Sequence, residues 1–244
     1  MNEPSKKPWK KSWRVIAILA GVGLVLLILL VLLGWLYLPK GLYTYPRPPL
    51  PKAFPPCPEI PTKPYSWRGV RLLKPADWRT LILDRESTGP GMSMVSIEPP
   101  DAEDMRAMVD SVSIGEYSAL RSRERRKVIE DAWSLKPGES LDPIKYEMLG
   151  DEAVPESIRR LTISGHRGLL YLTRGLGIYG REHDSWNLLI LHGDKTYEVG
   201  GQAMFNPYVI GPKWEIIHNE ELAARHEELA CGYWTIVRSL QLPK

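Results

Sequence analysis

The sequence predicts an α+β protein, in which a single N-terminal transmembrane helix precedes an antiparallel sheet packed by helices. Three observations support this fold class. An uncharged apolar run covers Val15–Leu38, a period-two pattern with glycine turns follows Ile158, and an amphipathic pattern begins at Asn219. A period of two is typical of half-buried strands, whereas a period near 3.6 is typical of helices with one buried face.

The apolar run Val15–Leu38 is long enough to cross a bilayer, since about 20 apolar residues span the hydrocarbon core. It lacks the polar stripe that a soluble amphipathic helix presents to water. A cleaved signal peptide is the competing interpretation, but its apolar region is only about 7 to 15 residues. Ala17 and Gly21 have the spacing that lets a second membrane helix approach closely. We therefore expect an uncleaved anchor that contacts membrane lipid through residues 15–38.

The orientation of this anchor follows from charge. The tail of residues 1–14 carries five of the 32 basic residues and one of the 29 acidic ones. Basic segments stay on the cytoplasmic side, so we expect a single-pass inner-membrane protein with a cytoplasmic N-terminus and a periplasmic C-terminal domain. The remainder is close to neutral, which argues against nucleic acid as a partner, because that would require a basic face.

Residues 39–64 contain ten prolines. Proline at this density favours an extended polyproline II conformation and prevents helices or central strands from forming. We therefore expect a semi-rigid linker over residues 39–64, followed by one extracytoplasmic α+β domain over residues 65–244. About 180 residues are enough to enclose a sizeable hydrophobic core.

The first part of this domain is predicted to contain three short strands and two helices. Turn-forming residues bound the strands, at residues 67–73, 80–84 and 92–98. Asp101 is predicted to cap a helix whose apolar residues recur at helical spacing, namely Ala102, Met105, Met108, Val109 and Val112. A second helix is predicted over residues 115–134.

A run of basic residues lies within this second helix and comprises Arg121, Arg123, Arg125, Arg126 and Lys127. Such a run is suited to anionic lipid headgroups or an acidic partner protein. The alternative is an ordinary solvated helix face, which is the commoner explanation for charge runs.

Two predicted hairpins follow, with connections at Gly165-His166 and at Gly193-Asp194. Glycine in the first position suits a type II′ turn, and hairpins in succession predict an antiparallel meander. The closing helix is predicted to begin at Asn219 and to lie on the sheet through an apolar stripe, comprising Leu222, His226, Leu229, Tyr233, Ile236 or Val237, and Leu240. Cys231 lies on the opposite side of this helix and is expected to face outward.

The two cysteines give this arrangement a chemical consequence. An extracytoplasmic compartment permits disulfides, and both Cys57 in the linker and Cys231 are expected at the surface. The sequence predicts a Cys57–Cys231 bridge that fixes the linker to the domain. Two independent thiols remain the alternative.

The sequence contains no convincing active site. Gly175, Gly177 and Gly180 spell a dinucleotide-binding pattern, but a strand rather than a helix is expected after them, so the required context fails. His183 beside Asp184 is the best acid-base pair, because a carboxylate can orient an imidazole for proton transfer. The expectation is that the domain has no catalytic residues, bound cofactor or metal.

The order of these elements resembles the PsbP-like α/β/α sandwich, a fold known from a lumenal photosystem II subunit. The resemblance covers roughly residues 65–241 and includes the segment WTIVRSLQ near the end of the closing helix. It implies a non-catalytic module that stabilises or helps to assemble a membrane complex. No functional residue of that family maps onto this chain.

The leading functional hypothesis is therefore a single-span accessory or assembly subunit of a larger membrane complex, photosynthetic, respiratory or transport-related, whose other integral subunits are its partners. The alternatives are a membrane-anchored periplasmic hydrolase that uses His183, Asp184 or His192, and a periplasmic ligand-binding domain.

Overall fold

The structure is a computed structural model that describes residues 19–30, 50–83, 89–100, 111–149, 152–176, 182–205, 208–210 and 216–244. The chain divides into two compact units, Met1–Pro48 and Pro49–Lys244. In the first unit, residues 19–30 form helix α1, whose side chains are exposed all round. No helix within the described residues is both long and apolar enough to cross a membrane. The proposed span Val15–Leu38 reaches beyond residues 19–30 at both ends, so it remains a prediction.

In its described residues, the second unit contains two α-helices, two short 3₁₀ turns and eleven strands. The helices are α2 (Arg123–Ser134) and α3 (Glu220–Ser239), and the 3₁₀ turns are Pro143–Lys145 and Pro155–Ser157. The strands are β1 (Thr62–Trp67), β2 (Val70–Pro75), β3 (Arg79–Leu83), β4 (Met92–Glu98), β5 (Ser111–Tyr117), β6 (Arg159–Ile163), β7 (His166–Leu176), β8 (Glu182–His192), β9 (Lys195–Phe205), β10 (Tyr208–Ile210) and β11 (Ile216–His218).

Seven of these strands form one antiparallel sheet in the order β3-β4-β5-β9-β8-β7-β6. Strands β1 and β2 form a separate hairpin, as do β10 and β11. The α+β class and the antiparallel sheet predicted from the sequence are confirmed. The run from β6 to β9 is the predicted meander, in which each strand pairs with the next.

Side-chain alternation along the strands gives the seven-stranded sheet two buried faces. On β8, Trp186, Leu188 and Ile190 belong to one hydrophobic cluster, whereas Leu189 belongs to another. We call the first the front face, which packs against α3 and the β1–β2 hairpin, and the second the back face, which packs against α2. Both faces are covered because successive side chains of a strand point to opposite sides.

Helix α3 is buried on more of its circumference than its sequence stripe predicts. Leu229, Tyr233, Ile236, Val237 and Leu240 lie in the core as expected, and His226 is partly buried. Trp234 is 0% exposed and Cys231 only 4% exposed, although Cys231 was expected to face solvent. The expectation was wrong because it treated the side of α3 away from the sheet as open to water.

One predicted strand contains a turn, and one predicted turn lies at a different position. The strand predicted over residues 67–73 is interrupted at Arg68 and Gly69, whose φ angles of 48° and 83° form the β1–β2 turn. Strand β1 begins at Thr62, within the segment that the sequence assigns to the linker. The turn predicted at Gly165-His166 lies one residue earlier, where Ser164 and Gly165 have φ angles of 50° and 82°. Consecutive positive φ angles indicate a type I′ turn, in which glycine is favoured second.

The helix predicted over residues 115–134 is shorter than expected. Residues 115–117 belong to β5, and α2 begins only at Arg123. Val112, which was assigned to the preceding helix, also lies in β5, while residues 101–110 are outside the described part of the chain. The segment SVSIGEY alternates with a period of two, and this strand signal was missed because helical spacing was followed across it.

Gly232 permits the closest packing between α3 and the turn that precedes β3. A Cβ built at Gly232 would lie 2.2 Å from the indole ring of Trp78, which is itself only 2% exposed. A rigid buried ring cannot yield as a flexible side chain can, so overpacking here costs about 1–3 kcal/mol.

We therefore expect Gly232→Ala to lower the free energy of unfolding by about 1–3 kcal/mol in urea titrations, even though alanine is normally the better helix residue. Ala224→Gly provides the matched control, because residue 224 lies in the same helix and is exposed. There, glycine should be worse than alanine by about 1 kcal/mol. A stabilised Gly232→Ala protein would contradict the packing described here.

Candidate functional site

The proline-rich segment nearest to the domain lies across α3. We call residues 50–61 the strap. Its Cys57 forms a disulfide with Cys231, with 5.5 Å between the two Cα atoms. The ring of Phe54 lies 4.5 Å from that of Trp234, and the Arg238 guanidinium donates a hydrogen bond of 2.8 Å to the Pro55 carbonyl oxygen. The strap is therefore fixed to α3 by covalent, aromatic and polar contacts.

A groove of about 600 Å³ lies between the strap, α3 and the residues that follow β2. Ile60 and Trp78 contribute apolar surface, and Asp77, Glu227 and Glu228 contribute carboxylates. We call this the helix groove. The Cys57–Cys231 disulfide fixes the strap side of this groove to α3.

Lys74 lies in β2, just before the residues that line the helix groove, and is only 3% exposed. Burial, together with the charge of Lys63 directly opposite on β1, lowers the pKa of the Lys74 ammonium group to about 8, although the charge of Asp77 partly opposes this shift. A lowered pKa leaves part of the amine neutral near physiological pH.

A second pocket of about 600 Å³ lies between the β1–β2 turn and one corner of the main sheet. We call it the corner pocket. Glu116 of β5 accepts hydrogen bonds from Lys195 Nζ at 3.0 Å, from the Tyr197 hydroxyl at 3.1 Å and from Arg68 Nη2 at 3.4 Å. Ile82 and Met92 contribute apolar surface. The pocket thus combines an apolar wall with one buried carboxylate and two cations.

The protonation of Glu116 reflects two opposing effects. Burial raises the pKa of this carboxyl group, but the hydrogen bonds from Lys195 and Tyr197, together with the charge of Arg68, outweigh it and hold the pKa below its ordinary value. Glu116 therefore stays ionised and continues to hold both cations at neutral pH.

The basic residues singled out in the sequence do not form one exposed patch. Arg125 pairs with Glu198 at 2.9 Å, and its guanidinium lies 3.6 Å from the centre of the Tyr117 ring. Arg126 pairs with Glu130, and Lys127 with Asp131. Arg121 and Arg123 remain exposed. Arg125 is a poor candidate for lipid contact because its charge is used within the domain.

The predicted acid-base pair, His183 and Asp184, lies in β8. Asp184 accepts two hydrogen bonds from Arg174 on β7, at 2.7 and 2.9 Å. A carboxylate held by an arginine fork in this way forms a structural ion pair across the two strands. The orientation of the His183 side chain lies outside the described part of the structure.

Of the residues predicted to pack against a second membrane helix, Gly21 lies in α1 and Ala17 lies outside the described residues.

Three further histidines interact with neighbouring groups of the domain. Burial lowers the pKa of the His226 imidazole, an effect that the charges of Asp184 and Glu227 partly oppose. His192 forms a hydrogen bond of 2.9 Å with the carbonyl oxygen of Pro243, and its ring lies 4.6 Å from that of His166. Within the described ranges, no three His, Cys, Asp or Glu side chains converge as a metal site.

Comparison with solved structures gives only a distant resemblance. The solution structure of cyanobacterial PsbP (CyanoP) from Synechocystis sp. PCC 6803 matches with a TM-score of 0.37 and 13% identity, covering 78% of this chain and 98% of that one. The crystal structure of protein PA94 from Pseudomonas aeruginosa matches with a TM-score of 0.20 and 15% identity, covering 57% of this chain and 80% of that one. The resemblance to the PsbP fold is thus weak and confined to the fold. No protein-family profile and no curated protein matches this chain.

Sequence reasoning missed the corner pocket altogether. The sequence predicts Glu116 in a helix and Arg68 in a continuous strand over residues 67–73. The period-two pattern of residues 111–117 indicates which side of the sheet Glu116 occupies. Its pairing with Tyr197 requires the β5–β9 register, which connects residues 81 positions apart and is not encoded in any local pattern.

The disulfide predicts a redox dependence of stability. Joining Cys57 to Cys231 closes a loop across a sequence separation of 174 residues, and removing a native bridge typically costs about 2–5 kcal/mol. Reduction should therefore lower the free energy of unfolding by that amount in urea titrations. Cys57→Ser should be equally destabilised and should no longer respond to reductant. Identical mobility on reducing and non-reducing gels, with no change in stability, would argue against the bridge.

The pKa of Glu116 predicts a loss of stability in acid. Its pKa is lower in the folded state, so its contribution is complete above the unfolded pKa and is lost as the pH falls through the folded pKa. Urea titrations between about pH 7 and about pH 3 should show a shallower decline for Glu116→Gln than for the unmodified protein. Glu156→Gln, at an exposed position, should leave the decline unchanged. Equal slopes in all three proteins would contradict this role.

Proposed function

We propose that this protein is a single-span accessory subunit whose extracytoplasmic domain docks on a larger membrane complex. In this proposal, residues 15–38 lie in the lipid, and the domain that follows the proline-rich segment contacts other integral membrane subunits. The localisation is the inner membrane, with the N-terminus in the cytoplasm and the domain in the periplasm.

The observation that carries the proposal is the attachment of the strap. The Cys57–Cys231 disulfide fixes the chain on α3 only 19 residues after the end of the proposed span at Leu38. Fixing the strap to α3 leaves fewer residues between the proposed span and the folded domain, which suits a module that works close to a membrane complex.

The compartment is supported by the same bond. Structural disulfides persist in oxidising compartments such as the periplasm and are rare in the cytosol. The local excess of basic over acidic residues in the tail of residues 1–14, five against one, favours the same orientation.

The geometry also offers surfaces suited to docking. The helix groove and the corner pocket are each about 600 Å³ and combine apolar walls with charged side chains. In the acid-base pair predicted from the sequence, His183 and Asp184, the carboxylate of Asp184 instead forms an ion pair with Arg174. Interaction with another protein is therefore the function that these surfaces favour over the hydrolase alternative.

Two measurements on the full-length protein test this proposal. Protease added to intact spheroplasts should degrade the domain and leave a membrane-protected N-terminal fragment. Extraction of source membranes in a mild detergent should yield the protein in a particle larger than the monomer, with integral membrane proteins identifiable by mass spectrometry. Protection of the domain from protease would reject the orientation, and a monomer at native abundance would reject the docking role.

A further inference from the structure

The corner pocket has a charged end and an apolar end. At the charged end, Arg68 and Lys195 both donate to the same carboxylate oxygen, Oε1 of Glu116 on β5. At the apolar end, Ile82 and Leu83 of β3 contribute to the wall. In the strand order β3-β4-β5-β9, β5 lies two strands from β3. At the usual spacing of neighbouring strands, the two ends are therefore about 10 Å apart.

The two cations at the charged end retain hydrogen-bonding capacity. A guanidinium carries five N–H donors and an ammonium group three, and within the described ranges each cation donates only to Glu116. The side chain of Glu116 is 9% exposed, whereas those of Arg68 and Lys195 are 51% and 43% exposed. One buried carboxylate against two cations leaves a net positive charge, and the remaining donors are accessible to a ligand. This end therefore suits an anionic group with more than one acceptor oxygen.

The apolar end offers a surface that a hydrocarbon chain would cover. Ile82 is 64% exposed, and Met92 and Met94 of the intervening strand β4 also line the pocket. Methionine side chains are flexible and polarizable, so they adapt to the shape of an apolar ligand. Contact between such a ligand and these side chains is favourable because it removes apolar surface from water.

We propose that the corner pocket binds a free aliphatic acid, whose carboxylate is held by Arg68 and Lys195 and whose chain lies across β4 toward Ile82. The carboxylate gains charge-assisted hydrogen bonds from both cations. A pocket of about 600 Å³ encloses one ligand of drug-like size, which a single-chain acid is and a two-chain phospholipid is not. This inference goes beyond the docking role and does not depend on it.

Other ligand classes match only one end of the pocket. A small inorganic anion would pair with the cations but would leave Ile82 in water. A neutral or cationic amphiphile would cover Ile82 but would leave the positive charge without a partner. A strand added to β3 would lie on the outer side of the sheet edge, more than two strands from Glu116. An anion joined to an apolar chain about 10 Å long matches both ends.

The test uses full-length protein in phosphatidylcholine nanodiscs and radiolabelled decanoate, measured by equilibrium dialysis at neutral pH. Empty nanodiscs give the amount of decanoate that partitions into lipid, and we expect saturable binding beyond that amount. Unlabelled decanol and decyltrimethylammonium have the same chain without the anion, and inorganic phosphate has an anion without the chain. Each should compete about tenfold or more weakly than unlabelled decanoate, because each loses the contacts of one end.

Variants at the charged end locate the carboxylate. Arg68→Gln/Lys195→Gln should weaken decanoate binding about tenfold or more. Lys136→Gln/Lys145→Gln is the matched control, because it removes the same charge from two exposed positions outside the pocket, and it should bind as the unmodified protein does. Circular dichroism and urea titration establish folding. If the first double variant is unfolded, Lys195→Gln alone takes its place, since Glu116 then keeps its bonds from Arg68 and Tyr197.

A variant at the apolar end locates the chain. Ile82→Asn should weaken decanoate binding about tenfold and leave the weak competition by phosphate unchanged. Ile144→Asn is its matched control, since Ile144 is 79% exposed and lies in a 3₁₀ turn outside the main sheet. It should leave decanoate binding unchanged.

Four results would overturn the proposal. They are no saturable binding beyond that of empty nanodiscs, competition by decanol equal to that by decanoate, complete displacement by phosphate at equal concentration, and binding that neither set of pocket variants weakens. Co-purification of membrane partners is measured separately, so failure of decanoate binding would reject this ligand site while leaving the docking role in place.

Discussion

The burial of α3 on two sides is the constraint on which the rest of the domain depends. The front face of the sheet covers one side, and the strap covers the other through Phe54 and Cys57. A helix enclosed in this way needs a wide apolar surface, which explains why Cys231 and Trp234 are buried outside the stripe predicted for a helix with one buried face. Removing the strap would expose the aromatic ring of Trp234, and burial of such a ring contributes more than that of most single side chains.

The fold was predictable where the sequence pattern was local. Apolar and polar residues alternate along β7, β8 and β9, and the short turns between these strands predict that each one pairs with the next. Residues 111–117 were misassigned because helical spacing was followed from Ala102 to Val112, although Val112 and Ile114 alternate with polar or small residues as in a strand. The turn at Arg68 and Gly69 was missed because apolar residues lie on both sides of it and hide the break.

The candidate site was much less predictable, since it depends on which strands become neighbours. Glu116 meets Tyr197 only because β5 pairs with β9, and it meets Arg68 only because the β1–β2 hairpin folds over the front face. Conversely, the neighbouring positions of His183 and Asp184 in the sequence suggested an acid-base pair, whereas the partner of Asp184 in the structure is Arg174, directly opposite on β7. The five basic residues of segment 121–127 share a stretch of sequence but not an environment. The two-residue step from Arg123 to Arg125 turns about 200° around the helix, so Arg125 meets Glu198 while Arg123 lies in solvent.

The same architecture fixes an order of events during biogenesis. The bond between residues 57 and 231 joins the first and last elements of the folded unit, and β2 pairs with Gln241 through a backbone bridge to Arg71. Neither contact can form until the chain has been synthesised as far as residues 231 and 241, so the front face closes only after α3 has been translated. Contacts between such distant residues also slow folding. The partly synthesised domain must therefore avoid aggregation while the aromatic side chains of its front face are exposed, until α3 has been synthesised and packs on them.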